Sequence, residues 1–253
     1  MTGRRLSITF LLAALALMLL PSLAAAAPTI PKLTMELAAG QAEPQEVSSL
    51  LEIIFLLTVL TMAPAIMLTM TSFTRIIIVF HFLRQAMGTQ QMPPNQILAG
   101  LAIFMTMVIM LPVGKAINNT AFQPYMDEEI PFQEMLNRAQ KPIREFMFKH
   151  TREKDLSIFY SITQEARPKN KEEVSTIMLV AAYTISELKT GFTIGFLIYV
   201  PFLILDMVVA SILLAMGMMM LPPVMISLPF KILLFILVDG WNLLVGSLVN
   251  TFQ

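Results

Sequence analysis

Residues 205–241 read LDMVVASILLAMGMMMLPPVMISLPFKILLFILVDGW. Two apolar runs flank a break made of Met216-Gly217-Met218-Met219-Met220 and Pro222-Pro223. Gly217 supplies backbone freedom, and the prolines forbid simple helical continuation. The stretch therefore predicts a helical hairpin that turns at the methionines. The whole chain has the same character: of 253 residues, 56% are hydrophobic and 13% charged, against roughly 45–50% and 25% in soluble domains. Its 17 basic residues balance 17 acidic ones, so no strong field is available to attract nucleic acid. Cysteine is absent and only His81 and His150 represent histidine, which excludes disulfides, thiolate chemistry and a multi-histidine metal centre. There is no phosphate loop, no G-x-S-x-G and no H-E-x-x-H. A membrane protein is expected, without a cofactor and without enzymatic activity.

Outward from the hairpin, its arms extend over 191–216 and 230–249. Two earlier runs, Leu50–Thr71 and Ile97–Val113, are also apolar, the first interrupted by Pro64 and the second preceded by Pro93-Pro94. Each approaches the roughly 17–25 residues a membrane helix needs. Ahead of them, residues 1–26 read as a cleaved signal: Arg4 and Arg5, a largely apolar run 15 residues long from Leu6 to Leu20, Pro21, then Ala24-Ala25-Ala26-Ala27. An uncleaved first anchor is the other reading. Residues 27–49 are a polar lead-in.

Between the first two spans, Phe73–Gln96 carries Arg75, His81 and Arg84 and no acid, so it is expected to be a short cytoplasmic basic turn marked by Arg75 and Arg84. Residues 50–113 then form a first hydrophobic hairpin and 191–253 a second. The segment 114–190 between them holds 11 of the basic and 11 of the acidic residues, and is expected outside the cytoplasm as a helical insert. Phe132, Met135, Leu136, Ala139, Ile143, Phe146 and Met147 recur there at helical spacing, as do Val174, Ile177, Met178, Ala181, Ala182 and Ile185. The fold expected is all-α: about four long hydrophobic helices in hairpins, plus this insert.

Three ionisable residues lie in the last two spans: Asp206, Lys231 at the start of the fourth, and Asp239 in its middle. Such groups cost about 2.5–3.5 kcal/mol each in hydrocarbon and normally face protein or water. Asp206 lies 13 residues before Met219 and Lys231 lies 12 after it. A hairpin turning there brings both to matching depth, so they are read as a buried charge pair; snorkelling of Lys231 to the interface is the simpler alternative. Two aspartates also raise an intramembrane protease, but Val238-Asp239-Gly240-Trp241 lacks the context for one. A proton-coupled small-solute carrier or channel is a rival from another class. The methionines at the break are read as a deformable apolar seal in a conduit, against the alternative of lipid-facing filler. Gly191-Phe192-Thr193-Ile194-Gly195 is a G-x-x-x-G, where small residues let helices approach closely.

Two blocks carry a family resemblance. Phe73-Thr74-Arg75-Ile76-Ile77-Ile78-Val79 with Leu83-Arg84-Gln85-Ala86-Met87-Gly88-Thr89-Gln90-Gln91-Met92-Pro93-Pro94-Asn95-Gln96 is one, and Met207 to Trp241 the other. Both resemble the FliP family of flagellar type III export-gate proteins, and the order of segments matches over 50–253. The virulence-injectisome homologue is the neighbouring alternative. The resemblance implies a core subunit of the export gate: several copies assemble with FliQ and FliR, beside other export-apparatus membrane proteins and the basal-body ring. Unfolded flagellar subunits pass through. It implies an inner-membrane location at the flagellar basal body with a large periplasm-facing part, and kinked hairpins in a spiral assembly. It also maps a gasket onto Met218, Met219 and Met220, with Gly217, Pro222 and Pro223 as the hairpin break, and a charge pair onto Asp206 and Lys231.

Overall fold

The computed structural model describes residues 44–89, 91–163, 168, 170–218 and 221–253, with side chains from residue 53. The signal and most of the polar lead-in lie outside the described residues, as do Met219 and Met220. The chain divides into a unit of residues 1–54 and a unit of residues 55–253; the side-chain contacts described below lie within the second. Among the described residues the secondary structure is entirely helical: α1 Pro44–Met70, α2 Phe73–Ala86, α3 Asn95–Ile117, α4 Gln123–Met126, α5 Phe132–His150, α6 Glu153–Thr163, α7 Thr176–Ala215, α8 Pro223–Leu237 and α9 Gly240–Asn250. Three stretches are long and apolar enough to cross a membrane, Ile53–Met70, Asn95–Met126 and Thr176–Ala215, and α8 with α9 forms a bent fourth.

The segment read as a basic turn is the main correction. Phe73–Ala86 is a 14-residue helix, and it is the core of the molecule. Ile76, Val79, Phe80, Leu83 and Ala86 recur at helical spacing and are at most 1% exposed. Apolar residues cover most of this helix and leave a narrow polar stripe with His81 and Gln85 exposed, so it seeks neighbours around most of its circumference, and the remote helices α7, α8 and α9 provide them. Helix α7 lies alongside in the same direction: Tyr183 meets Thr71, Glu187 meets Arg75 and Gly195 meets Phe82. Helices α8 and α9 run the opposite way, with Lys231 at Ala86, Trp241 at Phe80 and Thr251 at Arg75. Leu98, Ala102 and Met105 of α3 complete this core. A second, smaller core joins Met147 of α5, Tyr160 of α6 and Leu179 and Tyr183 of α7.

The expected boundaries at 113/114 and 190/191 do not interrupt helices. Helix α3 continues past Val113 and passes through a wide turn at Asn118–Phe122 into α4. Pro124 lacks the amide hydrogen and its ring collides with the carbonyl four residues back, so the helix loosens there. Helix α7 is one run of 40 residues, so the helix expected near residue 174 and the third span are continuous. Its buried face there is Leu179, Ala182, Tyr183, Ser186 and Glu187, while Ile177 is 82% exposed and Ile185 is also exposed. Hydrogen-bonding side chains with fixed partners rotate the helix away from the face its apolar residues alone would choose. The face expected for α5 is the one turned inward, with Phe132 against Phe55 and Tyr125.

The fourth span is broken: α8 and α9 meet at 64°. Asp239 sits at the break rather than inside a helix, in the left-handed conformation that aspartate tolerates better than most residues. Gly240 lies so close to the Phe235 ring that a Cβ there would stand 2.3 Å from it, which makes the bend depend on a glycine.

Candidate functional site

The expected site is the α7–α8 hairpin. Helix α7 ends at Ala215, and the next residues form a glycine-terminated cap: Gly217 takes φ +73°, its N–H donates to the Leu214 carbonyl at 3.0 Å, and the Met218 N–H donates to the Leu213 carbonyl at 2.9 Å. These two hydrogen bonds satisfy two of the orphan carbonyls at the helix end and reverse the chain. Pro222 precedes α8 and Pro223 is its first residue, where a missing N–H costs nothing. Met216 is 66% exposed and Met218 40%. The hairpin therefore presents thioether side chains at its turn, with Gly217, Pro222 and Pro223 shaping the turn itself.

Below the turn, the structure brings Asp206 and Lys231 together. Lys231 Nζ donates to Asp206 Oδ2 at 2.6 Å and to the Ala86 carbonyl at 3.2 Å. The ammonium is 3% exposed, so it does not reach for water. Ala86 is the last residue of α2, whose terminal carbonyls lack helical partners and carry the negative end of the helix dipole. The other carboxylate oxygen, Asp206 Oδ1, accepts from Ser227, a fully buried hydroxyl four residues before Lys231. One cluster thus ties α7, α8 and the end of α2. Sequence reasoning found the two charges but missed Ser227 and the α2 carbonyl; the serine's i, i+4 spacing to Lys231 was the available signal.

A second charge cluster was missed altogether. Arg75 at the start of α2 is 3% exposed, and Glu187 of α7 is fully buried. Arg75 donates to both carboxylate oxygens of Glu187, Nε at 2.9 Å and Nη2 to Oε1, while Nη1 donates to the Thr251 carbonyl at 3.1 Å and its Oγ1 at 2.9 Å. The guanidinium also lies 3.8 Å from the Phe252 ring centroid. Such a planar fork satisfies bidentate partners in a way an ammonium does not. Arg75 is therefore an internal tie between α2, α7 and the residues after α9. Arg84 remains at the turn side, bonded to Asn95 at 2.5 Å and to the exposed His81.

Gly191 and Gly195 receive α2 within the same chain. A Cβ on Gly191 would lie 3.2 Å from Ile78, and one on Gly195 would lie 2.5 Å from Phe82. The two α2 residues are four apart, as are the glycines, so one ridge of α2 fits the groove the glycines leave. At the start of α6, Asp155 pairs with Arg152 and accepts from Ser186 at 2.6 Å, which joins α6 to α7 one residue before Glu187. Helix α2 is thus held at both ends by buried ions and in its middle by a glycine groove.

Comparison with known proteins extends this picture. A family model described as the FliP family matches residues 56–248. A flagellar biosynthetic protein FliP of Bacillus subtilis (strain 168) is 54% identical over 213 residues, 84% of this chain and 96% of that one. The protein of the same description from Pectobacterium carotovorum subsp. carotovorum is 50% identical over 197 residues, covering 78% and 76%. That from Caulobacter vibrioides is 41% identical over 250 residues, covering 99% and 92%. The matched region contains both charge clusters, the glycine groove and the methionine turn, apart from Thr251 and Phe252.

Proposed function

The chain belongs to the FliP family, and on that premise we propose that it is a core subunit of the flagellar protein export gate. Several copies assemble with FliQ and FliR in the bacterial inner membrane at the flagellar basal body, alongside other export-apparatus membrane proteins. The assembly is the channel through which unfolded flagellar subunits are exported. The observation that carries this reading is the family match across 56–248, which spans the hairpin and its methionine turn.

The physical properties of the hairpin fit the role. A conduit for chains of every sequence needs a closure that yields to varied shapes, and unbranched, polarizable methionine side chains provide one. An apolar ring of them blocks ions by excluding water. The seal must also be held at constant height, and the Asp206–Lys231–Ser227 cluster anchors both arms of the hairpin to α2. Exposed apolar residues on both arms, among them Met207, Val208, Ile212, Phe230 and Leu233, are then covered by neighbouring subunits or lipid.

Co-expression with FliQ and FliR tests the proposal. The expected product is a large detergent-stable oligomer containing all three chains; isolation only as a monomer or dimer that binds a small solute would instead favour a carrier. In reconstituted vesicles, deleting Met218–Met220 or changing them to glycine is expected to raise leakage of small ions through the assembled complex. Unchanged permeability refutes the seal.

A further inference from the structure

The charge cluster at the start of α2 holds a segment that the hairpin does not use. Thr251, Phe252 and Gln253 follow α9 and are gripped from two other helices. Arg75 of α2 binds Thr251 and covers the Phe252 ring. Lys149 of α5 donates to a main-chain oxygen of Gln253 at 2.5 Å. The Phe252 ring is buried against Phe146, stacked at 6.3 Å, and against His150 at 5.3 Å. His150 in turn packs on Phe146 at 4.7 Å, with Nδ1 2.8 Å from the Phe146 carbonyl oxygen. The imidazole is thus a wall of the slot that receives Phe252.

We propose that residues 251–253 form a clasp closing α9 onto α2 and α5, and that protonation of His150 releases it. The charged groups acting on the ring are Arg75 from α2, which is paired with Glu187, and Lys149 from α5, which is engaged by a main-chain oxygen of Gln253. Of the acids near this cluster, Glu187 on α7 is engaged by Arg75 and Asp155 on α6 by Arg152, and Tyr183 donates to the Thr71 carbonyl. Helix α9 carries no titratable side chain. Burial holds His150 below its ordinary value; the backbone oxygens of Phe146 and Phe252 oppose this, and the Arg75 and Lys149 charges add to it. A group whose charged form is disfavoured in the closed state takes up protons more readily when the clasp opens. Closure is therefore complete above the ordinary histidine value of about 6.5 and weakens as pH falls from there toward the lower closed-state value.

The chain has no cysteine, so spin labels can be placed cleanly at Gln133→Cys and Gln253→Cys, both exposed positions. Gln133 is 16 residues before Lys149, about 24 Å along α5, a separation suited to pulsed electron–electron distance measurement on the full-length chain in nanodiscs. A single short distance is expected at pH 7.5, with a longer population growing toward pH 5.0. His150→Gln should keep the short distance at both pH values, and Phe252→Ala should show the longer one at both. A distribution that does not change between pH 7.5 and 5.0, or the same pH response in His150→Gln, overturns the proposal. A His150→Gln chain already open at pH 7.5 overturns it too, because ring packing rather than charge would then hold the clasp.

Discussion

Replacing Lys231 by methionine keeps the length and apolar stem of the side chain and removes only its charge and donors. In the native chain Nζ is bonded to Asp206 at 2.6 Å and to the Ala86 carbonyl at 3.2 Å, with 3% of the side chain exposed. Its loss leaves the Asp206 carboxylate with Ser227 as its donor. Removing one partner of a buried pair costs about 3–5 kcal/mol. The Asp206 side chain is 24% exposed, so water offsets part of this and the lower end, about 3 kcal/mol, is expected. That is roughly a 140-fold shift in the unfolding equilibrium. Asp206→Leu combined with Lys231→Met removes both charges and is expected to recover most of the loss. Exchanging the two residues should recover less, because a carboxylate at 231 faces the carboxyl end of α2, a penalty of about 0.3–1 kcal/mol. The assay is denaturant titration followed by helical circular dichroism in detergent, run as a double-mutant cycle. A coupling energy below about 0.5 kcal/mol would refute the reasoning.

The glycine groove sets a second expectation. Gly195→Ala forces a Cβ to 2.5 Å from Phe82 and should cost about 1–3 kcal/mol, and Gly191→Ala, at 3.2 Å from Ile78, less. Gly100→Ala, with nothing within 4 Å, should be neutral or stabilising by up to about 1 kcal/mol; equal effects at all three would remove the groove, and the same titration reads it. At the other ion cluster, Arg75→Ala strands a fully buried Glu187 and should cost about 3–5 kcal/mol. Glu187→Ala should cost less, since Arg75 keeps both bonds to Thr251; the reverse order of unfolding midpoints would contradict this.

The helical hairpin was legible because its signals are local. A glycine followed by two prolines ends one helix and starts another whatever surrounds them, and the cap at Gly217 is built from residues 213–218 alone. The depth match of Asp206 and Lys231 was legible because helical rise is constant, so counting from the turn is enough. Arg75 was read for a different environment. From its neighbours in the chain it counted as a positive residue in a short connection, but its partner Glu187 is 112 residues away. Asp239 shows the same limit at shorter range: apolar residues on both sides argued for one uninterrupted span, and the bend is decided by the fit of Gly240 on Phe235.

By itself the sequence determined that the chain is helical and apolar, where it reverses, and which two charges share a depth. These follow from backbone sterics, side-chain period and rise per residue, which act within a few turns. Only the tertiary structure decided that Phe73–Ala86 is the central helix, that α7 turns Ser186 and Glu187 inward, and that Arg75 and Lys231 are buried at opposite ends of α2. A buried charge is tolerated only where a partner stands at hydrogen-bonding distance, and that distance is set by packing of helices remote in the chain.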